Sequence, residues 1–307
     1  MKFVDVRNDI AFKKIFGNEN KKEILISFLN AVLDLSGDRV IEDLTILNPW
    51  QAPELPELKE TILDIRAVDK RKVIFIVEIQ VQKRMGFQKR VLYYTSKAYV
   101  DQLNKGEDYS NLKQVIFIGI VDFDTFEGSD YITRHRLLNT ATLKQELEEL
   151  EFNFIELPKF TKNENEIESI TDKWIYFIKN AASLEIMPAS ANFDEIKEAY
   201  EIATEMLWNK QELRVYEYWQ IRSWDEKGAF LAGKVDGKIE GKIEGKIEGK
   251  IEGLLEGIEV ILEVKYGDTG IALMERVRNL GTIERLEEFK ALLKTAVSVE
   301  DFKGFLE

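Results

Sequence analysis

Two runs of almost unbroken apolar residues limit what this chain can become: VIFIVEIQV at 73–81 and QVIFIGIV at 114–121. Short apolar runs rich in β-branched residues read as strands covered on both faces. Such a sheet needs helices on each side, and the neighbouring segments have helical periodicity. Ile10, Ile15 and Phe16, then Ile24, Leu25, Phe28, Leu29 and Val32, recur at helical spacing over 9–34, with a break expected at Gly17-Asn18. A second helix is expected from about 87 to 104, ending at Lys105-Gly106. Residues 61–67, TILDIRA, alternate as a strand, with Ile62, Asp64 and Arg66 on one face and Leu63, Ile65 and Ala67 on the other. FNFIEL at 152–157, closed by Pro158, makes a last strand. LNPWQAPELPEL at 47–58, with three of the five prolines, reads as loop. The order helix, strands, helix, strand describes an α/β core over about 1–160.

Beyond 160 the pattern turns helical. Ile167, Ile170, Trp174 and Ile178, then Ile196, Tyr200, Ala203 and Leu207, mark a helical region over 161–232. Glycine then recurs every four residues across 233–257, and the unit GKIE appears four times in succession from 237. A C-terminal helical segment over 258–307 follows and includes IERLEEFKALLKTAV. If the repeat is a helix, four residues advance about 400°, so Lys238, Lys242, Lys246 and Lys250 form one ladder. Glu240, Glu244, Glu248 and Glu252 form another. No Lys–Glu pair falls at i+3 or i+4, and each glycine costs about 1 kcal/mol relative to alanine. Alone, such a segment should be mostly unfolded. Its Ile239–Ile243–Ile247–Ile251 stripe and its charge ladders suit a partner helix. The expectation is a homo-oligomer, a dimer, joined through about 228–262 and the helices beyond; a flexible charged linker is the alternative.

Composition removes several chemistries. There is no cysteine, which excludes disulfides, thiolate metal sites and Cys nucleophiles. His135 is the one histidine, so a His-rich zinc site and a histidine pair are excluded; in TRHRLL it reads as structural or solvated. The opening MKFVDVRNDIAFKKIFG has no apolar targeting core, and no stretch approaches the roughly 20 apolar residues of a membrane span. The expectation is a soluble, cytoplasmic protein. Net charge is −13, which argues against nucleic acid, but most of the acidic excess lies after residue 130. Between 70 and 90, seven basic residues surround a single acid, Glu78. Lys70, Arg71, Lys72, Lys83, Arg84 and Lys89 are therefore candidate DNA contacts. A solvated loop and helix face would look the same.

Glu78 and Gln80 interrupt a strand that is otherwise Val, Ile and Phe, and burying an unpaired charge is expensive. If Lys70-Arg71-Lys72 is a loop tip, five residues separate it from Asp64 and five from Glu78. The two acids then face each other across an antiparallel pair. Two readings stay open. Glu78 forms an ion pair with Arg66 or Arg90, or the two carboxylates hold a hard cation such as Mg2+ or Mn2+.

Ile62-Leu63-Asp64 followed by Val77-Glu78-Ile79-Gln80 resembles the D…ExK signature of PD-(D/E)XK nucleases, in an ExQ form. NDIAFKKIFG (8–17), FQKRVLYYTSKAY (87–99) and VIFIGIVD (115–122) resemble, in the same order, the recombination-promoting nucleases (Rpn) of the transposase-associated group. The resemblance covers about residues 4–160; EVKYGD at 263–268 and IERLEEFKALL at 283–293 also look like tails of that group. It implies an α/β, restriction-endonuclease-like core at 1–160 with a mostly helical C-terminal region. It also implies Mg2+-dependent (or Mn2+-dependent) endonucleolytic hydrolysis of DNA with low sequence specificity, linked to recombination, mobile elements or defence. Asp64 and Glu78 would then ligate the metal, and Gln80 would complete the catalytic set where many relatives carry lysine. Asp9 would be a supplementary acid, and Arg90 and Tyr94 would reach the scissile phosphate. Leu63 replaces the signature's proline, and Gln80 brings no charge, so turnover should lean on the metal. The alternative is a catalytically weak or inactive nucleic-acid-binding or assembly protein that keeps the fold.

Overall fold

The helical periodicity of 9–34 becomes two helices, α1 (Asp9–Phe16) and α2 (Lys22–Val32). The Asn8 side chain caps α1 by accepting from the Ile10 N–H, and Asp9 in the first turn suits the helix dipole. α1 ends at Gly17, where a Cβ would stand 2.6 Å from the Lys13 carbonyl oxygen. The computed structural model describes residues 2–51 and 61–306, so positions 52–58 of the expected loop lie outside the described residues. Strands and helices then follow as β1 (Leu44–Leu47), β2 (Trp50–Gln51), β3 (Thr61–Ile62), β4 (Ile65–Asp69), β5 (Ile74–Gln80), α3 (Phe87–Val100) and β6 (Val115–Val121). After these come β7 (Ile132–Leu137), β8 (Leu147–Glu156), α4 (Ile170–Asn180), α5 (Asp194–Ile202) and α6 (Lys210–Ile271).

Among the described residues, six strands form one sheet in the order β1-β4-β5-β6-β8-β7. β4 and β5 are an antiparallel hairpin, whereas β5, β6 and β8 run parallel. The two apolar runs lie in the middle of the sheet, as their double-sided burial requires. One face packs against α1, α2, α4 and α5 in an aromatic core. Phe16 lies 5.1 Å from Phe28 and 5.6 Å from Trp174, and Phe177 lies 4.6 Å from Tyr200. The other face carries Ile74, Ile76, Val115 and Phe117 against Phe87 and Val91 of α3. A first compact unit, Met1–Trp224, thus includes helices from beyond residue 160.

Several details depart from the sequence reading, and α3 ends at Val100 rather than near 104. β8 begins at Leu147 rather than 152. Within 47–58, Leu47 ends β1, and Trp50–Gln51 pairs with Thr61–Ile62. The strand expected over 61–67 is interrupted at Leu63-Asp64. Residues two apart in an unbroken strand share a face, yet Leu63 packs with Ile76 on the α3 side and Ile65 packs with Ala67 on the other. The sequence carries no clear signal for β1 or for the edge strand β7. β7 reads ITRHRL, too charged to signal burial. It holds His135, whose ring lies 4.4 Å from Phe126 and whose Nε2 is 3.2 Å from Thr133 Oγ1. Burial pushes that imidazole below its usual range.

The second unit, Asp225–Glu307, contains most of α6 with α7 (Met274–Arg278), α8 (Ile283–Thr295) and α9 (Glu300–Lys303). Its core joins Ile258, Leu262, Val277, Phe289, Leu293 and Phe302. The GKIE repeat lies within α6, and helical geometry lapses only at Gly267, where φ is 56°. Leu231, Val235, Ile239, Ile243 and Ile247, four residues apart in turn, are all exposed. Among the described residues no helix is long and apolar enough to cross a membrane.

Candidate functional site

The hairpin that carries the two acids is set by its turn. The Asp69 N–H donates to the Val73 carbonyl, the Lys72 N–H donates to the Asp69 carbonyl, and Lys72 takes the left-handed conformation at φ 69°. Ile65 then pairs with Val77 and Arg66 with Ile76. One further step along that register sets Asp64 opposite Glu78. The chain has left regular strand geometry at Asp64, and this turns the side chain onto β5: its Oδ2 accepts the Ile79 N–H at 2.8 Å. Interruptions of this kind re-aim side chains beside functional sites. On its other side Glu78 neighbours Gly119 of β6. A Cβ there would come within 2.9 Å of the Phe117 ring and 3.1 Å of the Phe154 ring, so any larger residue would have to displace the aromatic floor beside Glu78.

α1 closes the site from another direction. Its inner face, Ala11, Phe12, Ile15 and Phe16, is buried in the core, which fixes the adjoining face bearing Asp9 and Lys13. Lys13 Nζ stands 2.8 Å from Asp9 Oδ1 and 3.3 Å from Asp64 Oδ1. From α3, Arg90 Nη2 donates to Gln80 Oε1 at 2.6 Å, and the guanidinium lies 5.9 Å from the Tyr94 ring and 5.4 Å from that of Phe87. Glu78 is 8% exposed, its Oε1 has no hydrogen-bond partner, and the Nε atoms of Arg66 and Arg90 are also buried without one. Among the described residues neither Arg66 Nε nor Arg90 Nε meets that orphaned oxygen, although the charge of Arg90 acts on Glu78.

The electrostatics follow from that burial. Burial raises the Asp64 carboxyl to about 7, helped by the hydrogen bond and charge of Asp9 and opposed by Lys13 and the Ile79 N–H. Burial and the charge of Asp64 push Glu78 up to about 8, against the pull of Arg90. Burial alone would lower Lys13, but the charge of Asp64 and the hydrogen bond it donates to Asp9 outweigh it, so its pKa is raised. Burial raises the Tyr94 phenol. Two juxtaposed carboxyls held above their usual range, one with an orphaned oxygen, lack positive charge. The Lys13 ammonium already stands at their edge as a partial substitute. Among the described residues no three acidic side chains gather closely enough to cage an ion unaided. The donor set suits a hard divalent ion that takes two carboxylates and leaves its remaining positions to water and phosphate.

The sequence-derived residues fall into two places. Asp9, Asp64, Glu78, Gln80, Arg90 and Tyr94 come together, whereas the basic residues divide. Lys83, Arg84 and Lys89 lie on the segment from β5 into α3, next to Gln80 in the chain. Lys83 Nζ donates to the Asp124 carbonyl. Lys70, Arg71 and Lys72 occupy the hairpin tip, about 20 Å along the strand from Glu78. There Arg71 pairs with Asp69 at 2.6 Å and Lys70 with Glu42 at 3.5 Å. Lys13 is the residue that the sequence reading passed over. Its signal was available, since it follows Asp9 by one helical turn within NDIAFKKIFG.

No curated protein and no solved structure matches this chain. A family model does, over residues 6–232, and its description is PD-(D/E)XK nuclease family transposase. That span takes in both acids, the glutamine, α1 and α3. Nucleases of this kind typically use divalent metal ions and act on nucleic acid. The chain belongs to the PD-(D/E)XK nuclease family transposases.

Proposed function

We propose that the protein is a cytoplasmic DNA endonuclease that hydrolyses phosphodiester bonds with low sequence specificity, with Mg2+ or Mn2+ held by Asp64 and Glu78. The observation that supports this reading is the pair of largely buried carboxyls, one step beyond the Ile65–Val77 register, with its unpartnered Glu78 oxygen. A divalent ion bound there would lower the pKa of a water and offset charge building on the phosphate. The chain's own side chains do the rest. Gln80, oriented by Arg90, positions water or phosphate without adding charge. Arg90 keeps further N–H donors for a phosphate oxygen, and Tyr94 stacks beneath it. Lys83, Arg84 and Lys89 hold the backbone of the DNA near the site. The transposase description of the family favours DNA as substrate and recombination or mobile-element biology as the setting. The test is plasmid cleavage with Mg2+, Mn2+, Ca2+ or EDTA, comparing wild type with Asp64→Ala. Metal-dependent nicking that the variant lacks supports the reading. Nicking by the variant at the wild-type rate overturns the site, and tight DNA binding without cleavage by wild type returns the binding-protein alternative.

We further infer that the repeat joins two copies of the chain in parallel. Around α6 the Ile row is flanked by Lys about 100° to one side and Glu about 100° to the other. A two-fold axis along the helices sets Lys against Glu on both flanks, whereas an antiparallel two-fold sets like against like. Rows of i±4 spacing pack with a crossing near −50°, so the contact is local. Light scattering on Ile239→Gln/Ile243→Gln/Ile247→Gln should give a monomer; an unchanged oligomer refutes the interface.

A further inference from the structure

Position 80 holds an amide, and its carbonyl oxygen is already engaged by Arg90 at 2.6 Å. Nothing on β5 therefore supplies the ammonium that a lysine there would bring. An ammonium does reach the acids, from a different element: Lys13 on α1, with Nζ 2.8 Å from Asp9 Oδ1 and 3.3 Å from Asp64 Oδ1. We propose, on the basis of the nuclease reading above, that Lys13 is the catalytic ammonium of this site, delivered by α1, and that Asp9 is the residue that positions it.

Three features carry the assignment. The first is rigidity. Phe12, Ile15 and Phe16 lock α1 into the core, and Asp9 grips Lys13 from one turn away, so the ammonium is held in place before any ligand arrives. The second is access. The Lys13 side chain is 33% exposed while that of Asp64 is 15% exposed, so the ammonium sits at the open edge of the acids. The third is the asymmetry of its two contacts. The one to Asp64 is the longer, so it would be the one released were a cation to take that carboxylate, while the one to Asp9 would remain. Lys13 then keeps its anchor and has N–H donors to spare beside the reacting phosphate.

Hydrolysis forms a bond from a water oxygen to phosphorus and breaks one P–O ester bond. One water proton ends on the departing oxygen by way of solvent, and the other is left with the new phosphate monoester. In between, extra negative charge spreads over the non-bridging oxygens. Lys13 donates hydrogen bonds to that charge and transfers no proton. Removing one such preorganised donor typically costs about 100- to 1,000-fold in rate.

The test uses the full-length protein with Lys13→Met, Lys13→Arg and Asp9→Asn, and Lys13→Gln in reserve should the methionine variant fail to fold. Melting curves report folding, titration calorimetry with Mn2+ alone reports metal affinity, and cleavage at saturating metal separates kcat from KM. Lys13→Met should fold and bind Mn2+ as tightly as wild type or tighter, because the ammonium competing for Asp64 is gone. Its kcat should fall about 100-fold with KM nearly unchanged. Lys13→Arg should recover part of the loss, and Asp9→Asn should lose kcat without losing Mn2+. A Lys13→Met kcat within about threefold of wild type overturns the proposal. So does a fall in Mn2+ affinity that matches the fall in kcat, since Lys13 would then only shape the acids. Wild type without metal-dependent cleavage defeats the nuclease reading and this one together. Wild type that cleaves beside an equally active Lys13→Met defeats the Lys13 assignment alone.

Discussion

Around Asp64 and Glu78 the chain keeps carboxyls away from water; along α6, from Leu231 to Ile247, it keeps aliphatic side chains in it. Both arrangements cost free energy, one through lost hydration of charge and the other through apolar surface left wet. Neither is fully relieved by its own surroundings. Glu78 Oε1 finds no donor, and Ile239 and Ile243 are each 53% exposed. The remedies are opposite in kind. A buried pair of acids is completed by a cation, and an exposed aliphatic row by another apolar surface. Residues placed against their own solvation preference thus point to what each region is built to meet.

The largest effect should come from emptying the first region. Glu78→Ala should lower metal-dependent cleavage by at least about a thousandfold while the melting curve stays cooperative. Full activity in that variant would mean the buried glutamate is merely tolerated, and the comparison would lose one side. A smaller effect separates the two basic groups. Lys83→Glu/Arg84→Glu/Lys89→Glu should weaken DNA binding at least about tenfold and flatten the salt dependence by about one unit per lost phosphate contact. Lys70→Ala/Lys72→Ala, at the far end of the hairpin, should change both far less. Equal effects from the two sets would spread the DNA path over the whole hairpin.

The metal-free protein offers a third measurement. Because the folded carboxyls sit at about 7 and about 8, the native state holds protons that the unfolded chain releases near pH 4. Stability without metal should therefore fall as pH rises from about 4 through 8 and level off beyond. Glu78→Gln should melt roughly 2–8 °C above wild type at pH 8.5 without metal, and alongside it at pH 4. Added Mn2+ should reverse the order at pH 8.5, because only wild type keeps both ligands. A variant no more stable than wild type at high pH would show that Glu78 is not strained by its burial. The smallest effect belongs to the second region. Nothing lies within 4 Å of a Cβ added at Gly241 or Gly245. In a helix free on that side, each Gly→Ala change should stabilise by about 1 kcal/mol in denaturant titrations. A loss of stability instead would place the partner against the glycine face rather than the isoleucine row.

What the sequence determined by itself is local. The two apolar runs specified central strands because continuous β-branched burial has few other uses, and Gly17-Asn18 divided the first helices. Counting outward from Lys70–Lys72 gives the register as far as Ile65 opposite Val77, one step short of Asp64 and Glu78, because a short turn propagates its register without help from the rest of the fold. The glycine ladder likewise specifies a repeated face. Only the tertiary structure decided the interruption at Leu63-Asp64, the pairing of β1 and β7 at the sheet edges, and the packing of Trp174 and Tyr200 into the same core as Phe16. It alone brought Lys13 to Asp64. Periodicity and spacing report how a segment folds on itself. Which faces meet across the chain is settled by the packing of α1 and α3 on opposite sides of one sheet, where burial is shared among residues far apart in sequence and no single segment records it.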